Sequence, residues 1–271
     1  MKLLIISHGW IGDNILASSL AENCFNNGFE HVDILIGFPH TYDLLKLLPF
    51  INNVFVSGIP GSYPTALGVD LTIYDRIYST PHLVFNEKPL DTFNKSFGFR
   101  KIKYDFQLNS LNDVRLSGDK PKIAFQTDWY ERTLNRKLSN QNYIINSLLD
   151  TFNVLMVGKT SVNGVTSQFS IDENTSHDFL IQASAMKNCD YFFGYPGGLH
   201  WVASGLGVKT ITTSDSVINS YTKNGSFSGL SFDVFKTQWM VHANKQFNNE
   251  HILLEPLISD DEIIKFIKNL V

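Results

Sequence analysis

The sequence predicts an α/β protein built on two mainly parallel sheets. Three observations lead there. Short apolar runs alternate with segments of helical periodicity along most of the chain, the pattern of βαβ units. Glycine-containing turns follow strands in both halves, at Gly9–Gly12 and again at Gly194–Gly198. Between the halves runs Leu116-Ser117-Gly118-Asp119-Lys120-Pro121, a polar Gly and Pro stretch with the character of a linker. The expected division is therefore an N-terminal Rossmann-like domain over 1–116 and a C-terminal one over 121–271.

Composition narrows the class. With 271 residues, 43% of them hydrophobic, the chain can bury one large core or two smaller ones. No apolar run is long enough to cross a membrane, so a soluble, cytoplasmic protein is expected. The opening Met1-Lys2-Leu3-Leu4-Ile5-Ile6 leads into His8-Gly9-Trp10 rather than a small-residue cleavage site, which reads as a first core strand and not a signal sequence. Cys24 and Cys189 are far apart and have no metal-site spacing, which suits reduced thiols. A net charge of −4 argues against a main surface made for nucleic acid.

In order, Lys2–Ser7 is strand one, His8–Asn14 a glycine-containing loop, and Ile15–Phe25 a helix grading from Ile15 and Leu16 to an exposed side at Ser19 and Asn23. Strands follow over 31–37, 53–57 and 70–74, with a short helix over 42–48 and a Pro- and Gly-containing loop over 59–67. The pattern weakens over 79–112, where helices are expected around 89–97 and 104–108. Phe85–Lys103 is rich in Phe, Lys and Arg; a helix packed on the first domain explains it better than a membrane-facing patch. The second series has strands over 122–125, 154–157, 191–193, 208–213 and 252–254, and helices over 138–152 and 177–188. Segment 214–232 is loop-rich. A closing helix over 259–270, with Asp260, Asp261 and Glu262 in its first turn, is expected to pack back on the N-terminal domain or to stay on its own.

Chemistry concentrates after strands. Asp190–Thr213 is strand, glycine turn, helix and strand; Leu199, Val202, Ala203 and Leu206 keep helical spacing and Gly207 closes the helix. Free amides at such a helix start, reinforced by its dipole, suit a phosphate, and His200 lies in the first turn. A tight strand-to-helix connection with a surface histidine explains the same residues. In the first loop Asp13 can take a proton, and so can His8. The plain alternatives are that Asp13 or Asn14 caps the helix and that His8 is structural.

Two segments carry a resemblance. Gly12-Asp13-Asn14-Ile15-Leu16-Ala17 after strand one, and Asp190, Gly194, Gly198, His200, Ala203, Leu206 and Gly207 in the frame D-x-x-x-G-x-x-x-G-x-x-H-x-x-A-x-x-L-G, resemble the hallmark segments of the heptosyltransferase-like glycosyltransferases, family 9, of GT-B fold. The second segment is the more specific. The resemblance implies two Rossmann-like domains facing across a cleft and an inverting, metal-independent transfer of a sugar from a nucleotide-diphosphate donor to an acceptor hydroxyl. It implies Asp13 as general base, with His8 a second candidate. Donor binding falls to Gly12, Tyr195, Pro196, Gly197, Gly198 and His200, with Gly158 and Lys159 after a neighbouring strand. Arg132, Arg136 or Lys137 matches the auxiliary cation by position. No cofactor beyond the donor is implied.

The departures are local. Tyr195-Pro196 stands where an acidic residue precedes the family's Ser/Thr-Gly, Asp128-Trp129-Tyr130 replaces a Lys-x-Trp-Pro segment, and the chain is short for the family. The residue types suit the chemistry: one carboxylate near the attacking hydroxyl, with amides, Arg and His for charge on the leaving diphosphate. Other classes remain. They are a non-catalytic nucleotide or sugar-phosphate binding module, a sugar epimerase, and a viral enzyme glycosylating modified DNA bases. The acceptor, saccharide or otherwise, is not named by any residue.

Overall fold

The structure is a computed structural model describing residues 1–7, 11–37, 39–57, 68–80, 96–99, 116, 118–127, 140–158, 176–194, 198–213, 251–254 and 258–271. The chain divides into two compact units, Met1–Leu111 with Asn174–Leu180 and Asn112–Glu173 with Ile181–Val271. Each is an α/β unit with an all-parallel sheet.

In the first unit, β1 (Lys2–Ser7), β2 (His31–Ile36), β3 (Asn53–Val56) and β4 (Arg76–Ser79) lie in the order β3-β2-β1-β4. Leu4, Ile6 and Leu35 form one apolar cluster with Tyr74, and the alternating Leu3, Ile5 and Ile34 are equally buried. Burial on both faces is why these strands read as continuous apolar runs. Helix α1 (Ile11–Asn26) is longer than its sequence pattern and begins four residues earlier. Neither Asp13 nor Asn14 caps it, because both lie inside its first turn. The expected exposed side is also absent, since Ser19 and Asn23 are buried. Their polar atoms are met within the helix: Ser19 Oγ donates to the Ile15 carbonyl at 3.4 Å and Asn23 Nδ2 to that of Ser19 at 3.1 Å.

The segment over 70–74, expected as a strand, is instead a tight 3₁₀ turn, Leu71–Ile73, and the strand begins at Arg76. Asp70 accepts from the Thr72 backbone N–H and hydroxyl at 2.9 and 2.6 Å, which closes the turn. Tyr74 then drops inward and donates its hydroxyl to Asp33 at 2.6 Å. Asp33 is buried at 1% exposure, a costly place for a carboxylate without partners. It also accepts from Asn53 Nδ2 at 3.0 Å and pairs with His31 Nε2, tying β2, β3 and the 70–74 segment together. Burial, and then this bond to Asp33, push the Tyr74 phenol far above its ordinary range.

The second unit has β5 (Lys122–Thr127), β6 (Asn153–Gly158), β7 (Tyr191–Gly194), β8 (Lys209–Thr213) and β9 (His251–Leu254), ordered β6-β5-β7-β8-β9. Its helices are α3 (Gln141–Leu148), α5 (Gly198–Gly205) and α6 (Asp260–Lys268); α4 (Ser176–Met186) is divided, its residues to Leu180 falling in the first unit and those from Ile181 in the second, and in the first unit α2 is Tyr42–Leu45. One core joins Phe125 and Phe193 of the sheet to Ile144, Ile145 and Leu148 of α3 and Ile263, Ile264 and Ile267 of α6. The apolar face of α6 is thus used within its own unit. Ser259 caps α6 in a reciprocal box with Glu262, as the acidic first turn suggested.

At the end of α5, Gly207 takes φ +80°, the Val208 N–H bonds the Ala203 carbonyl and the Gly207 N–H that of Ser204. This reversal, open to glycine without strain, turns the helix straight into β8. The helices expected at 104–108, most of that at 89–97, and all of 214–232 lie outside the described residues. No described helix is long and apolar enough to cross a membrane.

Candidate functional site

Both sheets contain a switch point, and both hallmark segments sit at one. In the first unit the chain moves outward from β1 to β2 and β3, then returns to lay β4 on the other side of β1. In the second it moves from β5 to β6 and returns with β7 on the far side of β5. The connections then leave in opposite directions above the carboxyl ends of two neighbouring strands, opening a crevice where ligands bind in open α/β sheets.

At the first switch point, Gly12 and Asp13 occupy the opening turn of α1, both partly exposed. The positive end of the helix dipole lies at this turn. Beneath them runs a buried chain of polar side chains. Ser7 Oγ, at the end of β1, donates to Asn14 Oδ1 at 2.7 Å, and Asn14 Nδ2 donates to Thr41 Oγ1 at 3.0 Å. Thr41 closes the turn Pro39–Thr41 after β2. His40, in the same turn, has its pKa lowered by burial, so its ring is neutral at neutral pH. Thr80, just past β4, bonds the Ile6 carbonyl through its N–H at 2.9 Å and its hydroxyl at 3.1 Å. The sequence reading passed over Ser7, Thr41 and His40. Their positions after strand ends were the available signal, but only the fold brings residues 7, 14 and 41 together.

At the second switch point, Gly194 ends β7 beside Gln126 of β5. A Cβ on Gly194 would stand 2.6 Å from Gln126 Oε1 and 2.9 Å from the Phe192 ring, so the fully buried carboxamide occupies the space a side chain would need. Gly198 opens α5, every residue of which is buried, His200 included at 0% exposure. The His200 ring stands 5.6 Å from that of Trp201. A surface histidine is therefore not what this helix presents. Gly158, the last residue of β6, gives its N–H to Gln182 Oε1 of α4 at 2.8 Å, so that amide already has an acceptor within the protein.

Of the expected site residues, the structure brings Gly12 and Asp13 to one switch point and Gly198 and His200 to the helix after the other. His8, Arg132, Arg136, Lys137, Lys159, Tyr195, Pro196 and Gly197 lie outside the described residues. Among the described residues no group of three or more His, Cys, Asp or Glu could hold a metal ion. Asp190, part of the later hallmark, is at the opposite end of the sheet: its Oδ2 accepts from the Lys122 N–H at 2.8 Å and its own N–H bonds the Lys122 carbonyl at 2.9 Å. Across the four residues of β7 that is about 13 Å from the carboxyl end.

No protein-family profile matches the chain, and no curated protein matches it by sequence. Solved structures do match. The ADP-heptose lipopolysaccharide heptosyltransferase II of E. coli aligns over 100% of this chain and 98% of its own, with a TM-score of 0.63 and 13% identity. The E. coli heptosyltransferase WaaC, solved with ADP-2-deoxy-2-fluoro heptose, aligns over 100% of both chains, with a TM-score of 0.61 and 10% identity. A family 9 glycosyltransferase of Veillonella parvula aligns over 99% of this chain and 96% of its own, with a TM-score of 0.59 and 10% identity. The fold is that of the heptosyltransferase-like GT-B proteins.

Proposed function

We propose that the protein is a glycosyltransferase that moves a sugar from a nucleotide-diphosphate donor to an acceptor hydroxyl, with inversion and without a metal. The observation that supports it most is Asp13 in the opening turn of the helix leaving the central strand β1, at a switch point. The fold likeness over the whole chain supports the same class, and the neighbours solved with ADP or an ADP-heptose analogue favour an adenosine diphosphate donor.

In this reading Asp13, ionised at the helix start, accepts the proton of the attacking hydroxyl, and His8 is the second candidate for that proton. The diphosphate leaves with extra negative charge, taken up by the amides that open α5 and by a cation from Arg132, Arg136 or Lys137. Gly12, Lys159 and the Tyr195–Gly198 turn complete the donor-binding set. His200, closed off from solvent, acts through the packing of the first turn of α5. In this reading residues 1–116 serve the acceptor and 121–271 the donor.

The experiment is a thermal-shift panel with ADP, UDP, GDP and their sugar conjugates on the purified chain, since a ligand that binds only the folded state raises the midpoint by mass action. A shift with ADP that weakens in His200→Ala is expected. No shift with any of them sinks the donor site. A second reading, a nucleotide or sugar-phosphate binder without chemistry, is separated from the first by what Asp13 does. Under it, Asp13→Asn would be nearly neutral.

A further inference from the structure

The buried chain Ser7–Asn14–Thr41 is more than core filling. All three side chains are essentially closed to solvent, at 2%, 1% and 0% exposure. Helix α1 is already anchored by Ile15, Leu16 and Leu20, each fully buried, so apolar burial is sufficient to hold it on the sheet. What apolar contacts do not specify is a single rotation and height of its first turn. A buried polar network does, because each member is satisfied in one geometry and a slip leaves donors unmatched.

The Asn14 carboxamide uses both ends, accepting from the last residue of β1 and donating to the turn after β2. Three segments that converge on the carboxyl end of the sheet are thereby joined through one side chain. Successive residues of an α-helix are rotated by about 100°. With Asn14 directed into the protein between Ser7 and Thr41, Asp13 is turned away to its partly exposed position.

We propose that Asn14, held by Ser7 and Thr41, is the positioning residue for Asp13. It fixes the carboxylate relative to the end of β1 and to the turn that carries His40. This rests on the reading of Asp13 as the base. A misplacement of about 1 Å at such a group costs on the order of 10²-fold in rate, which is the size of effect to look for.

The test uses the full chain and hydrolytic release of nucleoside diphosphate from ADP-, UDP- and GDP-sugars, with water taking the sugar in place of the acceptor hydroxyl. Thr41→Val removes the hydroxyl at nearly constant volume, and Thr41→Ser keeps it. The expected result is that Thr41→Val folds with a modestly lower Tm, retains the donor KM, loses about 10²-fold in kcat by the same argument, and is rescued by Thr41→Ser. Ser7→Ala, which cuts the other end of the relay, should lower kcat in the same direction. Wild-type kcat in folded Thr41→Val, alongside an inactive Asp13→Asn, overturns the positioning role and leaves the base in place. Full activity in Asp13→Asn, or no turnover by the wild-type protein, overturns the base and the positioning role together.

Discussion

The two units solve the same folding problem alike and then part ways at the ligand-facing end. At the amino ends of the sheets the device is duplicated. Asp75, just before β4, accepts from the Lys2 N–H at 2.8 Å and returns its own N–H to the Lys2 carbonyl at 3.0 Å. Asp190, just before β7, makes the same pair of bonds with Lys122. In each unit the strand that crosses back is thus pinned against the first residue of the central strand. At the carboxyl ends the described residues differ. The first unit has a hydroxyl–amide–hydroxyl relay under a helix start bearing Asp13; the second has a glycine pressed on a buried glutamine before a wholly buried helix. Register is set at one end, and chemistry is free to diverge at the other.

This contrast can be broken in several places. The largest effect is expected from Asp13→Asn, which should lower the turnover of donor by about 10²- to 10⁴-fold while the melting temperature stays put. Steady-state kinetics on the folded variant would refute the assignment if kcat fell less than tenfold. Next comes Gly194→Ala. Its methyl group meets Gln126 and Phe192 inside normal contact distance, so overpacking should cost about 1–3 kcal/mol in urea unfolding. Combining it with Gln126→Ala should recover part of that loss, and strict additivity would show that the two residues do not share the space.

The duplicated clasp offers a smaller, paired test. Asp75→Ala and Asp190→Ala should each cost about 1 kcal/mol, as expected for one exposed side-chain to backbone bond. A difference of more than about twofold between them would end the equivalence of the two amino ends. The smallest effect at ordinary pH is alkaline. Burial pushes the Cys24 and Cys189 thiols up from the ordinary 9.0 to about 12. Their raised folded values mean that this stability is intact below pH 9 and is lost as pH rises from there towards 12. At pH 10 each thiol should cost about 1 kcal/mol, and replacing either by Ser should remove that share of the alkaline loss, as read from pH-dependent urea midpoints. The same burial predicts negligible native-state reaction of either thiol with a disulfide reagent at pH 8.

Much of this was legible in one dimension. The strands of both sheets were visible because parallel strands covered on both faces leave continuous apolar runs such as Leu3–Ile6 and Tyr191–Phe193. The closing helix was visible from Ser259 and the acidic turn after it. Two readings failed for one reason: polar side chains found partners that periodicity does not encode. Ser19 and Asn23 signalled an exposed helix face but bond their own helix, and 70–74 looked like a strand but is a turn closed by Asp70. His200 looked like a surface donor because a histidine after a glycine turn is usually outside, and only the burial of α5 on all sides shows otherwise.

The sequence by itself determined the class of fold, the order of most elements and the two strand ends where glycine and a titratable side chain coincide, because periodicity and turn chemistry act over a few residues. Only the tertiary structure decided which distant residues meet: Asn14 between Ser7 and Thr41, Gln126 beneath Gly194, and Asp190 at the end of its strand remote from the site. Such contacts are made by sheet order and strand register, and those are settled when separate segments pack on one another rather than within any one of them.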